Sequence, residues 1–216
     1  MKGIIIDGVA SSGKTMIFQL LQKKLVEFKP STTKLFISEH YTQRMIEHLR
    51  DDGSLNGGDI KKHIEKIITV LSEFQNMLEA SKFNNQQANA DSIVVLERFI
   101  LTHFVSQKNE DDFSIDDAKI YFTKLKNFNI KQILLIIPQN KIRERIMSTL
   151  NYRNDAWKEY LLSKGSEDQI IEEYIKWQEK CIKYAGIFKD FIDTEVIEVK
   201  ENDYDNYVEK ILKSLT

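Results

Sequence analysis

The sequence predicts a three-layer α/β protein with about five parallel strands and helices on both faces. Three observations carry this. Short apolar runs alternate with segments of helical period along the whole chain, the pattern of a parallel sheet wrapped by its own crossovers. Several runs are continuously apolar, such as Ile4-Ile5-Ile6, Ile93-Val94-Val95-Leu96 and Ile133 to Ile137, as strands covered on both faces require. The first run leads straight into Gly8-Val9-Ala10-Ser11-Ser12-Gly13-Lys14-Thr15, the spacing G-x-x-x-x-G-K-[ST] of a phosphate-binding loop set between a strand and a helix.

The elements follow in order. A strand over residues 3–7 enters the loop, and Met16, Ile17, Leu20, Leu21 and Leu25 recur at helical spacing after it. Pro30, Ser31 and Thr32 punctuate a turn before a second strand at 34–38, which ends at Glu39. Residues 41–50 read as a short helix with Met45, Ile46 and Leu49 on one side, and 51–58 as a loop. From Asp59 a long helix carries Ile60, Ile64, Ile67, Ile68, Leu71, Phe74 and Leu78 at a 3.6-residue period. A polar break at 84–89 precedes the β-branched third strand, 92–96. An acidic loop at 109–117, a helix at 118–128 and a fourth strand at 132–137, stopped by Pro138, come next. Asn140 is expected to cap a helix with Ile142, Ile146 and Leu150 on one face. A helix over 167–185, a fifth strand over 196–199 and a closing helix over 204–215 complete the chain. With no internal repeat and no linker, residues 1–216 are expected to form one domain.

Composition narrows the function. The 216 residues are 42% hydrophobic, ample for a core. A net charge of −2 with both signs mixed along the chain leaves no footprint for a nucleic acid partner. The apolar runs are too short for a bilayer span or a secretion signal. A single cysteine, Cys181, excludes an internal disulfide framework and reads as a packing residue. A cytoplasmic protein without membrane contact is expected.

The loop carries the chemistry. Gly8 and Gly13 let the backbone curl so that N–H groups, those of Ser11 and Ser12 among them, converge on phosphate oxygens. The helix that follows adds its positive N-terminal end. Lys14 would reach the β- and γ-phosphates of ATP, and the Thr15 hydroxyl would ligate Mg²⁺. In open parallel sheets the ligand lies beyond the carboxyl ends of the strands. There the second strand offers Glu39 and the third offers Glu97-Arg98.

These segments resemble deoxynucleoside kinases and thymidylate kinases. The likeness rests on Ile5-Ile6-Asp7-Gly8 through Thr15, Ile37-Ser38-Glu39-His40, Val94-Val95-Leu96-Glu97-Arg98-Phe99 and Lys141-Ile142-Arg143-Glu144-Arg145-Ile146, in an order and spacing that fit most of the chain. It implies the P-loop kinase fold with a helical lid at about 140–166. It also implies transfer of the γ-phosphoryl group of ATP, with Mg²⁺, to a nucleoside or nucleoside monophosphate. By the resemblance Glu39 is the general base, while Glu97 and Arg98 hold the metal and the accepting end of the substrate. Thymidylate kinases carry Asp-Arg in the third segment and usually an Arg in the second, so Glu39 and Glu97 favour a nucleoside-type acceptor. Arg143 and Arg145, two apart on a helix, project to nearly opposite sides. Both cannot face the phosphate, and the resemblance favours Arg145, which aligns with the family's Arg-Ile pair, together with Arg153. The family's second basic cluster is replaced here by Ser148-Thr149-Leu150. Related kinases are often dimers, so the resemblance brings a homodimer with it as an expectation.

Tyr41, Phe74, Phe99, Phe104, Trp157, Tyr160, Tyr174 and Trp177 are the aromatic residues from which a base-stacking platform could be drawn. Phe99 and Tyr41 follow the proposed active-site residues and are the expected substrate contacts, while Phe74 and Tyr174 sit at core spacing. The four histidines have no metal-binding spacing, and His40, beside Glu39, is the one singled out for test. Two other readings stand: a P-loop kinase of another small acceptor, such as an antibiotic or cofactor precursor, and a non-catalytic nucleotide-binding regulatory module. A guanine-reading Asn-Lys-x-Asp is missing, since Asn140-Lys141-Ile142-Arg143 lacks the Asp.

Overall fold

A computed structural model describes residues 1–45, 57–84, 92–107 and 112–215. Five strands, β1 (Lys2–Gly8), β2 (Thr33–Ile37), β3 (Ser92–Glu97), β4 (Ile130–Ile136) and β5 (Thr194–Glu198), form one sheet in the order β2-β3-β1-β4-β5. All its pairings are parallel. The helices are α1 (Lys14–Phe28), α2 (Gly57–Asn84), α3 (Ile100–Ser106), α4 (Ile115–Asn127), α5 (Gln139–Ser148), α6 (Asp155–Leu162), α7 (Glu167–Phe188) and α8 (Tyr204–Ser214). A π-helical turn occupies His40–Arg44, and a 3₁₀ turn Thr149–Asn151. Of the expected helix over 41–50, residues 41–44 wind as part of the π turn and Met45 is α-helical; 46–50 lie outside the described residues.

The period of two in the strands builds the three layers. In β1, Ile4 and Ile6 face one core and Ile5 the other; in β3, Ile93 and Val95 divide from Val94 and Leu96 in the same way. The first core packs against α1 and α8 through Ile17, Leu21, Leu25, Val208 and Ile211. The second packs against α2, α3, α4 and α7 through Ile64, Leu71, Phe104, Phe122 and Phe188. A third cluster joins Val9 of the phosphate loop to Ile142, Ile146, Leu161, Ile170 and Tyr174, tying α5, α6 and α7 to the loop.

The ends of the elements have local causes. Ser114 and Asp117 make a reciprocal capping box, so α4 starts at Ile115 rather than at 118. A second box, Ser166 with Gln169, starts α7 at Glu167 as expected. Asn140 does not cap α5. The cap position is Pro138, with no side-chain bond, and Asn140 lies inside the first turn. Two helices were not legible as such. α3 is buried from Ile100 through Val105 and so has no polar face to display a period. α6 has eight residues, announced only by Asn154, whose side chain accepts from the Trp157 N–H at 3.0 Å.

Candidate active site

The strand order places the site. The connections leaving β1 and β3 run to opposite sides of the sheet, and ligands in such sheets lie where they diverge. The phosphate loop follows β1 there, and Glu97-Arg98 closes β3 beside it, in register with Ile6.

The loop is shaped by its glycines. Gly13 has φ +87, and a Cβ there would stand 2.3 Å from Cε1 of Tyr204 at the start of α8. Gly8 has φ +147, and its Cβ would meet the Leu135 carbonyl oxygen at 2.4 Å. Neither position admits a side chain without displacement. Ser11 also takes a positive φ, 62°, and its hydroxyl is buried without a hydrogen-bond partner. An orphaned hydroxyl in a loop of this spacing fits a phosphate group. Lys14 Nζ is buried, donating to the Val9 carbonyl at 2.6 Å with Ser12 Oγ at 3.5 Å. Burial, with the Arg98 charge adding to it, pushes the Lys14 ammonium down to about 7, although Glu39, Glu97 and Asp7 pull the other way.

Glu97 is the hinge of the site. Its carboxylate is buried at the end of β3. Oε1 accepts from the Thr15 hydroxyl at 2.5 Å, and Oε2 from the Glu39 backbone N–H at 3.2 Å. Two hard oxygen donors, Thr15 Oγ1 and Glu97 Oε1, thus stand together beside the phosphate loop and fit Mg²⁺. This ion takes few protein oxygens and completes its shell with phosphates and water. Among the described residues no cluster of three His, Cys, Asp or Glu gathers for a metal.

Glu39 Oε1 accepts from both Nε and Nη2 of Arg44 at 3.1 Å. Its Oε2 lies 3.2 Å from Arg98 Nε, an ion pair out of line for a hydrogen bond. Burial alone would raise the Glu39 carboxyl, but Arg98, Lys14 and Arg44 outweigh it and hold it below its ordinary value. Arg98 takes φ +57 and lies over the Trp177 ring at 5.9 Å. A left-handed backbone at a non-glycine residue beside the phosphate loop marks stored strain.

Beside the loop opens a cavity of about 710 Å³, a volume suited to a small organic molecule. Glu39, Arg44 and Arg98 line one side. Trp157 and Tyr160 of α6 and Glu173, Tyr174, Trp177 and Lys180 of α7 line another; the α7 set recurs at the spacing of one helix face. Phe99 is not among them. It is 0% exposed and belongs to the core, so its expected substrate contact is corrected. Tyr41, 56% exposed, lines a separate, smaller cavity with His63 and Ile67, and Tyr174 serves both core and cavity wall. His40 is exposed and meets the Tyr41 ring edge-on.

The three arginines expected in a lid divide. Arg143 is bound at the surface to Glu167 and Asp168, the first residues of α7. Arg145 is half-buried on α5 and is not part of the cavity wall. Arg153 lies over Trp157 at 4.5 Å, one side chain removed from the cavity. Sequence reasoning missed Arg44, which the π turn brings onto Glu39. Of the eight aromatic residues read as a candidate stacking platform, Trp157, Tyr160, Tyr174 and Trp177 line the cavity.

No protein-family model matches the chain, and no curated protein does. Solved structures do. A YorR protein from Bacillus subtilis in complex with phosphorylated GDP superposes with a TM-score of 0.56 at 16% identity, over 99% of this chain and 95% of that one. A thymidylate kinase from Ehrlichia chaffeensis gives 0.52 at 16%, over 100% and 98%. A shikimate kinase from Acinetobacter baumannii in complex with shikimate gives 0.50 at 14%, over 99% and 92%. The fold is therefore that of the P-loop kinases. Among the described residues no helix is long and apolar enough to cross a membrane.

Proposed function

We propose that the protein is a phosphotransferase that moves the γ-phosphoryl group of ATP to a nucleoside or nucleoside monophosphate. One observation carries this reading. Glu97 joins Thr15 of the phosphate loop on one oxygen and the Glu39 amide on the other, which sets the Glu39 carboxylate on the cavity wall beside the loop. Donor and acceptor machinery are held by one side chain.

Phosphoryl transfer asks the protein for positioning and charge stabilisation. Lys14 and the loop N–H groups would hold the donor phosphates. Thr15 and Glu97 would hold Mg²⁺, which when bound neutralises charge on the β- and γ-oxygens. Glu39 would take the proton of the acceptor hydroxyl as the new bond forms. Its depressed pKa suits a base that must be ionised beforehand and acts late in the step. Arg98 would stabilise charge developing on the transferred group, with Arg145 and Arg153 approaching as the helices of 140–166 close over the cavity. The base or sugar of the acceptor would lie against Trp157, Tyr174 and Trp177.

The test is ATP consumption against deoxynucleosides and their monophosphates, with Glu39→Gln alongside. Turnover of a nucleoside that falls at least about 100-fold in the variant supports a nucleoside kinase using Glu39 as base. Turnover of a monophosphate by an active variant points to a nucleotide kinase and removes that role. Tight ATP binding with no stimulation by any acceptor overturns the reading.

A further inference from the structure

The turn that carries Glu39 and Arg44 is pinned from beneath by a group outside the cavity. The Thr42 side chain is fully buried. Its hydroxyl donates to the Glu97 carbonyl at 2.5 Å, and its own carbonyl faces two imidazoles: His103 Nε2 of α3 at 2.6 Å and His63 Nε2 of α2 at 3.1 Å. The two rings meet edge to face, with centroids 5.8 Å apart. A carbonyl oxygen only accepts, so both nitrogens at these distances must carry hydrogen. Burial pushes both histidines below their ordinary value, His103 to about 3. Both rings are therefore neutral near pH 7, and both are the Nε2–H tautomer.

Two long-range donors on one carbonyl are more than a turn needs for its own satisfaction. Thr42 N–H and Tyr41 N–H already bond back to Ser38 O at 3.1 and 3.0 Å. The extra bonds tie three separated segments, α2, α3 and the end of β3, to the residue midway between Glu39 and Arg44. We propose that His63 and His103 form a clamp on the Thr42 carbonyl, making them positioning residues that fix Glu39 and Arg44 at the cavity wall. The clamp rests on the proposed function for its kinetic consequence, but its geometry stands without it.

Three measurements on the full chain test it. In ¹⁵N NMR of imidazole-labelled protein at pH 7, both rings are expected as neutral Nε2–H tautomers; an Nδ1–H tautomer or an imidazolium at either position overturns the clamp, even if every variant fails to fold. Amide hydrogen exchange then follows His63→Leu and His103→Leu. Exchange over residues 38–45 should rise at least about tenfold with residues 8–15 unchanged, and His103→Gln, which keeps a donor, should stay within about twofold of wild type. Unchanged exchange over 38–45 in a folded Leu variant, or a rise spread over the whole chain, overturns it. With an accepted substrate in hand, the Leu variants should raise the acceptor KM about tenfold and leave the KM for ATP unaltered; equal changes in both contradict a positioning role. If wild-type protein phosphorylates no acceptor, the proposed function fails, while the exchange and NMR results still decide the clamp.

Discussion

The Thr15 hydroxyl and the Glu97 carboxylate meet at 2.5 Å, so the last residue of β3 is bonded to the last residue of the phosphate loop. Replacing Glu97 by Gln keeps the size and one acceptor oxygen but removes the charge. We expect the half-saturating Mg²⁺ concentration to rise at least about tenfold, with kcat down about 100-fold. Binding of ATP without Mg²⁺ should change little. Titrating Mg²⁺ at fixed ATP checks this, and an unaltered Mg²⁺ requirement would remove Glu97 from the metal.

Gly13 and Tyr204 form a second contact that can be tested in isolation. Gly13→Ala meets both a positive φ and the Tyr204 ring, so it should cost about 1–3 kcal/mol and weaken ATP binding. In a Tyr204→Ala background the ring is gone and only the backbone cost remains. The alanine should then cost measurably less. Equal costs in the two backgrounds, from a double-mutant cycle, would mean the ring does not bear on the loop.

Lys14 and His103 each give stability a dependence on pH. His103 stays neutral in the fold down to about 3, against 6.5 ordinarily, so the unfolded chain binds the extra proton between these values. Stability must then fall as pH drops through that window, by up to about 1.4 kcal/mol per pH unit. Lys14 titrates at about 7 against 10.5. The unfolded chain again binds more protons between the two values, so stability rises with pH from about 7 to 10.5. Urea unfolding from pH 4 to pH 6 should show a shallower slope in His103→Gln than in wild type. Lys14→Met should match or exceed wild-type stability at pH 7 while abolishing turnover; a large loss of stability would contradict the burial cost assigned to the ammonium.

The strands and the phosphate loop were legible because both are local: an apolar run and an eight-residue spacing need no knowledge of the partner. Glu97 could be placed for the same reason, following a buried strand. Arg44 could not. It reaches Glu39 because residues 40–44 wind as a π turn, and nothing in His40-Tyr41-Thr42-Gln43-Arg44 separates that turn from an α-helical start. Phe99 was misread because the chain turns at Arg98 with φ +57 and the next side chain enters the core rather than the cavity wall. Residues 51–56 of the loop expected at 51–58, most of the break at 84–89 and residues 109–111 of the acidic loop lie outside the described residues, while Gly57 and Gly58 open α2 instead of closing the loop.

Both tryptophans of the chain, Trp157 and Trp177, line the cavity. An acceptor that stacks there should change the intrinsic fluorescence on binding, and Trp157→Phe and Trp177→Phe should divide the signal between them. A fluorescence response to ATP alone, with none to acceptor, would place the acceptor elsewhere. By contrast Arg143→Ala should leave kcat and KM at wild-type values, because its partners Glu167 and Asp168 are on the outer surface.

The most direct measurement is the fate of the γ-phosphoryl group. With γ-labelled ATP, Mg²⁺ and a panel of nucleosides and nucleoside monophosphates, label should move to one class of acceptor, and Lys14→Met should abolish the transfer. Label appearing only as inorganic phosphate would contradict a kinase in favour of an ATPase, and label remaining in ATP that is bound but not turned over would leave a nucleotide-binding module.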